Sequence, residues 1–144
     1  MDSIEGLAVP VSRAELLVEP FGYWPSFHDA EVHRVELDRG DGARAPNAIA
    51  DNHVFETDGT VDERGYFRNK TSVRVRLRFA AVDDLELYGL GCQNVISELV
   101  LAPTLEGRIR VSLAPCFGLS GTLTCASIEV LDVRSWPAPL PPQR

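Results

Sequence analysis

SVRVRLRFAAV, residues 72–82, is the stretch that decides the fold. Val73, Val75, Leu77, Phe79 and Ala81 fall on one side of a two-residue period, and Arg74, Arg76 and Arg78 fall on the other. A helix would spread these side chains around its axis, whereas a β-strand sorts them onto two faces. The branched and aromatic residues also suit a pleated, half-buried surface. The segment reads as a strand with one face on a core and a cationic face toward water. One-sided burial of this kind belongs to antiparallel sheets.

Downstream, Asp83-Asp84 signals a turn, and Leu85–Leu90 reads as a strand paired antiparallel with the one before it. Gly89, Gly91 and Asn94 mark a break. Val95–Ala102 resumes as strand, and Pro103 to Gly107 turns. Arg108–Ala114 alternates again, with Ile109, Val111 and Leu113 inward. Pro115 to Gly121 turns once more, and Thr122–Val133 reads as one long final strand. Trp136 and a tail with Pro137, Pro139, Pro141 and Pro142 follow, and the tail is expected to fray.

Upstream, residues 58–70 are a polar excursion with two glycines, and a weaker strand lies around Ala48–Glu56. Residues 39–46 form a loop. In AEVHRVELD, residues 30–38, His33, Val35 and Leu37 alternate against Arg34, Glu36 and Asp38. Val32 is out of phase, which predicts a bulge near Val32–His33. Before this strand, FGYWPSFHDAE, residues 21–31, gathers Phe21, Tyr23, Trp24 and Phe27, four of the eleven aromatics. Gly22 and Pro25 bar a regular helix or central strand there. So much ring area must be covered, and the segment reads as a plug on the sheet. Ser12 and Glu15 have capping-box spacing, predicting a short helix over Ser12–Glu19 with Leu16 and Leu17 inward and Pro20 as its stop. Residues 1–10 lack a period and are expected to fray. The expected fold is α+β: a mostly antiparallel β-sheet or sandwich of six to seven strands with one short N-terminal helix, a single domain over residues 1–144.

Charge narrows the partners. Net charge is −7, unevenly spread: residues 1–63 carry 14 acids against 4 bases, and residues 64–78 carry six bases and no acid. The acidic half repels phosphates, so direct nucleic-acid binding is not expected, whereas a basic partner would be attracted. No apolar run approaches the roughly 18 residues of a membrane span, so no membrane contact is expected. The N-terminus has no basic stretch followed by an apolar one, and a cytoplasmic location is expected. Cys92, Cys116 and Cys125 are odd in number and lack metal-ligand spacing, so they read as reduced, buried thiols.

His28-Asp29, with His33, is the one constellation that suggests chemistry. A histidine beside a carboxylate can act as a general base, and two histidines with an aspartate can hold a metal. The simpler reading has Asp29 capping the turn, His28 bonding backbone, and His33 sitting on the apolar phase of its strand. His53 completes the three histidines, but no spacing brings them together. With no GxSxG, P-loop or GxGxxG, no catalytic residue, cofactor or metal site is assigned. The arginine stripe reads as a solvated face paired with acids on the next strand, such as Asp84 and Glu86. Asp41, Asp51, Glu56, Asp58, Asp62 and Glu63 cluster around the expected loops and are the best candidates for a protein-binding surface.

Two stretches carry a family resemblance. FGYWPSFHDAEVHRVELDR resembles the opening of the bacterial immunity protein 50 family, and VRVRLRFAAVDDLELYGLGCQNVISELVL is similar to its middle. GTLTCASIEVLDVRSW looks like the family's closing strand, and residues 39–70 are unmatched. Trp24, Phe27, His28, Asp29, Gly89 and Asn94 stand at motif positions. The resemblance implies a non-enzymatic cytoplasmic antidote that binds and neutralises the C-terminal domain of a toxin encoded beside it. A basic toxin, nucleases being one such class, would suit the acidic loops, and the unmatched segment would then choose the partner. The alternative reading is a small enzyme or ligand- or metal-binding domain using His28, Asp29 and His33 beside Trp24. Oligomeric state is not legible.

Overall fold

The computed structural model describes residues 4–136, with all side chains among them except those of Asp58, Phe67, Arg68 and Asn69. One helix, α1 (Glu15–Phe21), precedes eight strands: β1 (Glu31–Asp38), β2 (Asn47–Val61), β3 (Phe67–Ala80), β4 (Asp83–Tyr88), β5 (Val95–Pro103), β6 (Ile109–Phe117), β7 (Ser120–Cys125) and β8 (Ser127–Ser135). They form one sheet in the order β4-β7-β6-β5-β1-β2-β3-β8, antiparallel at every pairing. The mostly antiparallel sheet with one short helix is as expected, and the described residues form eight strands rather than six to seven.

The sheet is creased in the middle. β1 and β5 share a single register pair, Glu31 with Val95, flanked by hydrogen bonds from Val32 N–H to the Asn94 carbonyl and from Ile96 N–H to the Ala30 carbonyl. On one side lie β1, β2, β3 and β8, and on the other β5, β6, β7 and β4. Their inner faces meet along an apolar seam to which Val35, Ala50 and Leu77 contribute from the first half and Leu85, Leu99 and Leu123 from the second. The alternation that defines β3 is realised: Val73, Val75, Leu77 and Phe79 are buried, and Arg74, Arg76 and Arg78 point outward.

Two of the expected connections are different. The segment after Ser72–Val82 does not fold back on it; β4 pairs with β7 instead. Ala81 and Asp84 both take positive φ, 55° and 50°, and carry the chain across to the other half of the sheet. Arg108 holds this crossing, bonding the Ala81 carbonyl and pairing with Asp83 at 3.0 Å. The stretch Thr122–Val133 is also two strands rather than one. At Ala126, whose N–H bonds the Ala80 carbonyl, the chain passes from β7 to β8 and changes halves again. The crossing shows as a slip of phase: Leu123 and Cys125 are buried in β7 and Ile128 and Val130 in β8, so the inward row shifts by one residue at Ala126–Ser127.

The polar excursion at 58–70 is the far part of a hairpin. β2 reaches Val61 and β3 starts at Phe67, yet β1 pairs only as far as His53 and β8 only as far as Val73. Beyond these points β2 and β3 form a two-stranded ribbon. The bulge falls where expected, between Val32 and Arg34.

The helix differs in its ends. Ser12 makes no cap; its backbone instead joins the edge of β8, donating to Ile128 O and accepting from Val130 N, both at 2.9 Å. Pro20 lies inside α1, and Gly22, at φ 85°, ends the helix with its N–H on Val18 O. A seven-residue helix has little stability alone. Burial of Leu17 and Phe21 against β8 and β3 holds it in place. Residues 4–10 are likewise pinned: Val9 is buried, and the Glu5 carbonyl accepts from Trp24 N–H at 3.0 Å. The proline-rich tail, residues 137–144, lies outside the described residues.

Candidate functional site

The aromatic plug is built as its composition demands. Phe21, Trp24, Pro25 and Phe27 are buried, with Trp24 and Phe27 rings 5.9 Å apart. Tyr23 sits at the margin and donates its hydroxyl to Glu56. That bond, then burial, pushes the Tyr23 phenol above its ordinary pKa. The plug hands over to β1 through a tight turn in which Phe27 and Asp29 take positive φ, 67° and 60°. Left-handed backbone costs a non-glycine residue about 1 kcal/mol, and here three contacts hold it. Ala30 N–H bonds Phe27 O, Leu99 N–H bonds Ser26 O, and the Phe27 ring is 1% exposed.

His28 and Asp29 project from this turn into solvent, with side chains 73% and 49% exposed. His28 Nδ1 lies 3.1 Å from the Ser97 carbonyl, the geometry of a protonated Nδ1 donating to backbone. Its Nε2 is 3.4 Å from Asp29 Oδ2. Ser26, His28, Asp29, Glu56 and Thr57 line a concavity of about 400 Å³. His28 and Asp29 are therefore together, and His33 is not with them. The bulge turns His33 out of the apolar phase onto the outer face, where it is exposed.

There His33 meets His53, a grouping the spacing did not reveal. Their rings are 6.4 Å apart, and Trp136 stacks 5.3 Å from His33 and 5.2 Å from His53. Arg74 lies over the Trp136 ring at 5.6 Å, and Ser72 Oγ is 2.7 Å from His53 Nε2. Burial, then the neighbouring His33, lowers the His53 pKa. The signal lay in the expected bulge, whose consequence is strand register: Glu31 stands opposite His53, and His33 falls on the same face. Among the described residues no three His, Cys, Asp or Glu side chains converge as metal ligands.

The acidic candidates scatter. Asp51 is not a loop residue; it sits mid-β2, 4% exposed, between Arg74 at 3.6 Å and Arg76 at 3.9 Å. Arg74 and Arg76 of the stripe are paired with acids, but with Asp51 of β2 and Glu36 of β1, not with Asp84 and Glu86. Glu56 is held by Tyr23. Asp41 Oδ1 accepts from Ala43 and Arg44 N–H, shaping the β1–β2 loop, and Asp62 Oδ1 accepts from Arg64 and Tyr66 N–H, shaping the hairpin tip. Glu63 is exposed at that tip, and the Asp58 side chain lies outside the described residues. Asp41 and the hairpin acids occupy opposite ends of β2.

The remaining motif positions hold the β4–β5 connection. Asn94 is buried and clamps Gly91, donating from Nδ2 to its carbonyl and accepting at Oδ1 from its N–H, both at 2.9 Å. Gly89 has φ 73°, and a Cβ there would overlap the Gly118 carbonyl oxygen. Of the thiols, only Cys125 is buried, its pKa pushed by burial to about 11; Cys92 and Cys116 are exposed, contrary to expectation.

No curated protein and no solved structure matches the chain. The immunity protein 50 family model matches residues 13–136, from the start of the helix through all eight strands to Trp136. The chain belongs to the immunity protein 50 family.

Proposed function

We propose that this chain is a cytoplasmic antidote that binds the C-terminal domain of a cognate bacterial toxin and neutralises it by occupying its surface, without catalysis. The observation that carries this reading is the family match across residues 13–136. The side chains agree with it. Asp51, Glu56 and Asn94 are engaged in contacts that hold the sheet and its connections. The contact surface we assign to one of the two acid-bearing ends, the β1–β2 loop with Asp41 or the β2–β3 hairpin with Asp58, Asp62 and Glu63. Exposed carboxylates at either end could pair with bases of a toxin domain.

Co-expression with the toxin domain encoded beside it tests the proposal, scored by growth and by co-purification. Rescue with a stable complex is expected. Growth arrest with no complex sinks the antidote reading. A second reading rests on the concavity beside the exposed His28-Asp29 pair, where a small polar ligand would sit. It requires saturable ligand binding that His28→Ala abolishes, and a screen in which no ligand meets that condition removes it.

A further inference from the structure

The two edges of the sheet are treated differently. The β8 edge is covered by Ser12 and α1. The β4 edge pairs only inward, with β7, and no strand among the described residues pairs with its outer side. Leu85 and Leu87 of β4 turn toward the seam between the half-sheets. The seam opens beside Leu37, at the end of β1, whose side chain is 56% exposed. Leu37, Pro46, Val82 and Leu85 line a concavity of about 330 Å³ at this mouth. A leucine so exposed at the lip of an apolar seam is out of place on a strand with one core face and one solvated face.

The rim is acidic. Asp38, Asp83 and Asp84 line it, and Glu86 follows them along the β4 edge. Asp38, Asp84 and Glu86 make no ion pair among the described residues, and Asp83 is paired with Arg108. Arg39 is the one base lining the mouth. Acids and a register shift on an edge strand are a common guard against self-association, and here β4 has both, the shift falling between Asp83 and Glu86. A second copy brought edge to edge would set these carboxylates against their own kind. A basic segment escapes that guard.

Building on the antidote reading, we infer that the β4 edge and the seam mouth at Leu37 receive an extended basic segment of the toxin domain, which inserts one aliphatic side chain between Leu37 and Leu85. Backbone hydrogen bonds to β4 would supply affinity, and the apolar mouth with its acidic rim would supply selectivity. Lysine or arginine flanking the inserted residue would face Asp38, Asp84 and Glu86.

Two arms test this on the full chain. In the first, amide shifts are followed by NMR as a short lysine-flanked valine–leucine peptide is added. Shifts centred on Leu37, Leu85 and Glu86 are expected, and a peptide that saturates without moving these amides, or moves none, overturns the proposal whatever the toxin does. In the second, the toxin domain encoded beside the gene is titrated against wild type, Leu37→Arg and Tyr66→Ser. Leu37 is exposed enough to be replaced without unfolding, checked by unchanged thermal melting. Leu37→Arg should weaken the toxin complex by tenfold or more, as loss of an anchor does, while Tyr66→Ser, at the hairpin tip, leaves it within about twofold. A tight complex indifferent to Leu37→Arg overturns the assigned surface and leaves the antidote reading standing. Absence of any wild-type complex overturns that reading instead, and the peptide arm then decides the groove alone.

Discussion

Asp51→Asn separates a structural carboxylate from a binding one. Asp51 is 4% exposed, with Arg74 at 3.6 Å and Arg76 at 3.9 Å. At an effective dielectric constant near 20, each attraction is worth roughly 4 kcal/mol before desolvation. Burying the carboxylate cancels much of that. The arginine side chains are 44% and 39% exposed, so water screens what remains. Arg76 keeps Glu36 at 3.6 Å in the variant, but among the described residues Arg74 is left with the Trp136 ring alone. A net loss of about 2 kcal/mol follows, or roughly 6 °C in Tm for a domain of this size. Thermal unfolding followed by circular dichroism reads it directly, and urea unfolding gives the free energy. The loss should shrink in high salt, since the arginines are part-exposed. Toxin affinity, measured below the transition, should not change. A Tm within about 2 °C of wild type together with weakened binding would refute the reasoning and return Asp51 to the binding surface.

Gly89→Ala forces a side chain into left-handed backbone and onto the Gly118 carbonyl, and should lower stability by about 3 kcal/mol, read from the urea midpoint. Maleimide at neutral pH should add to Cys92 and Cys116 in the native protein and reach Cys125 only in denaturant, because that thiol is buried and its pKa is about 11; mass spectrometry counts the adducts. His53 has a lowered pKa in the fold, so below its ordinary value of 6.5 the unfolded chain binds the extra proton first. Stability should therefore fall as pH drops from about 6.5 toward the folded-state value and rise as pH is raised back, and the slope should be smaller in His53→Gln, measured by urea unfolding across pH.

The sequence was most informative where one periodicity covered a whole element. The inward row of β3 and the bulge at Val32–Arg34 are both visible in the pattern of apolar residues. It was least informative where the chain changed partner without changing period. From Phe79 to Leu85 and Leu87 the inward positions stay in phase although β4 leaves β3 for β7, whereas at Ala126 the inward row slips from Leu123 and Cys125 to Ile128 and Val130, a break that the apolar pattern does carry. The helix erred locally: Ser12–Glu15 has the spacing of a cap, but the Ser12 backbone is worth more on the open edge of β8. The site followed the same division. Burial of Trp24 and Phe27 could be read from ring area alone, whereas burial of Asp51 depends on arginines reached only through strand pairing.

Strand pairing also limits where a partner can bind. β2 runs from Asn47, beside the seam mouth, to Val61, beside the hairpin tip. Fourteen rises at about 3.3 Å separate these ends by roughly 45 Å. A protein–protein interface of standard size takes about 800 Å² from each partner, a patch roughly 30 Å across. Asp41 and the acids Asp58, Asp62 and Glu63 thus do not belong to one such patch, although they are close in sequence. The hairpin end carries Arg64, Arg68 and Lys70 beside its three acids, so its charge cancels. At the other end Asp38, Asp83 and Asp84 outnumber Arg39 in the lining of the mouth, and the exposed Leu37 supplies an apolar centre that charge alone does not. Attraction for a basic domain is therefore strongest at the end where an anchor can also be buried. A partner that lost affinity at Leu37 and at Tyr66 alike would have to wrap the full length of β2, in an interface well beyond the standard size.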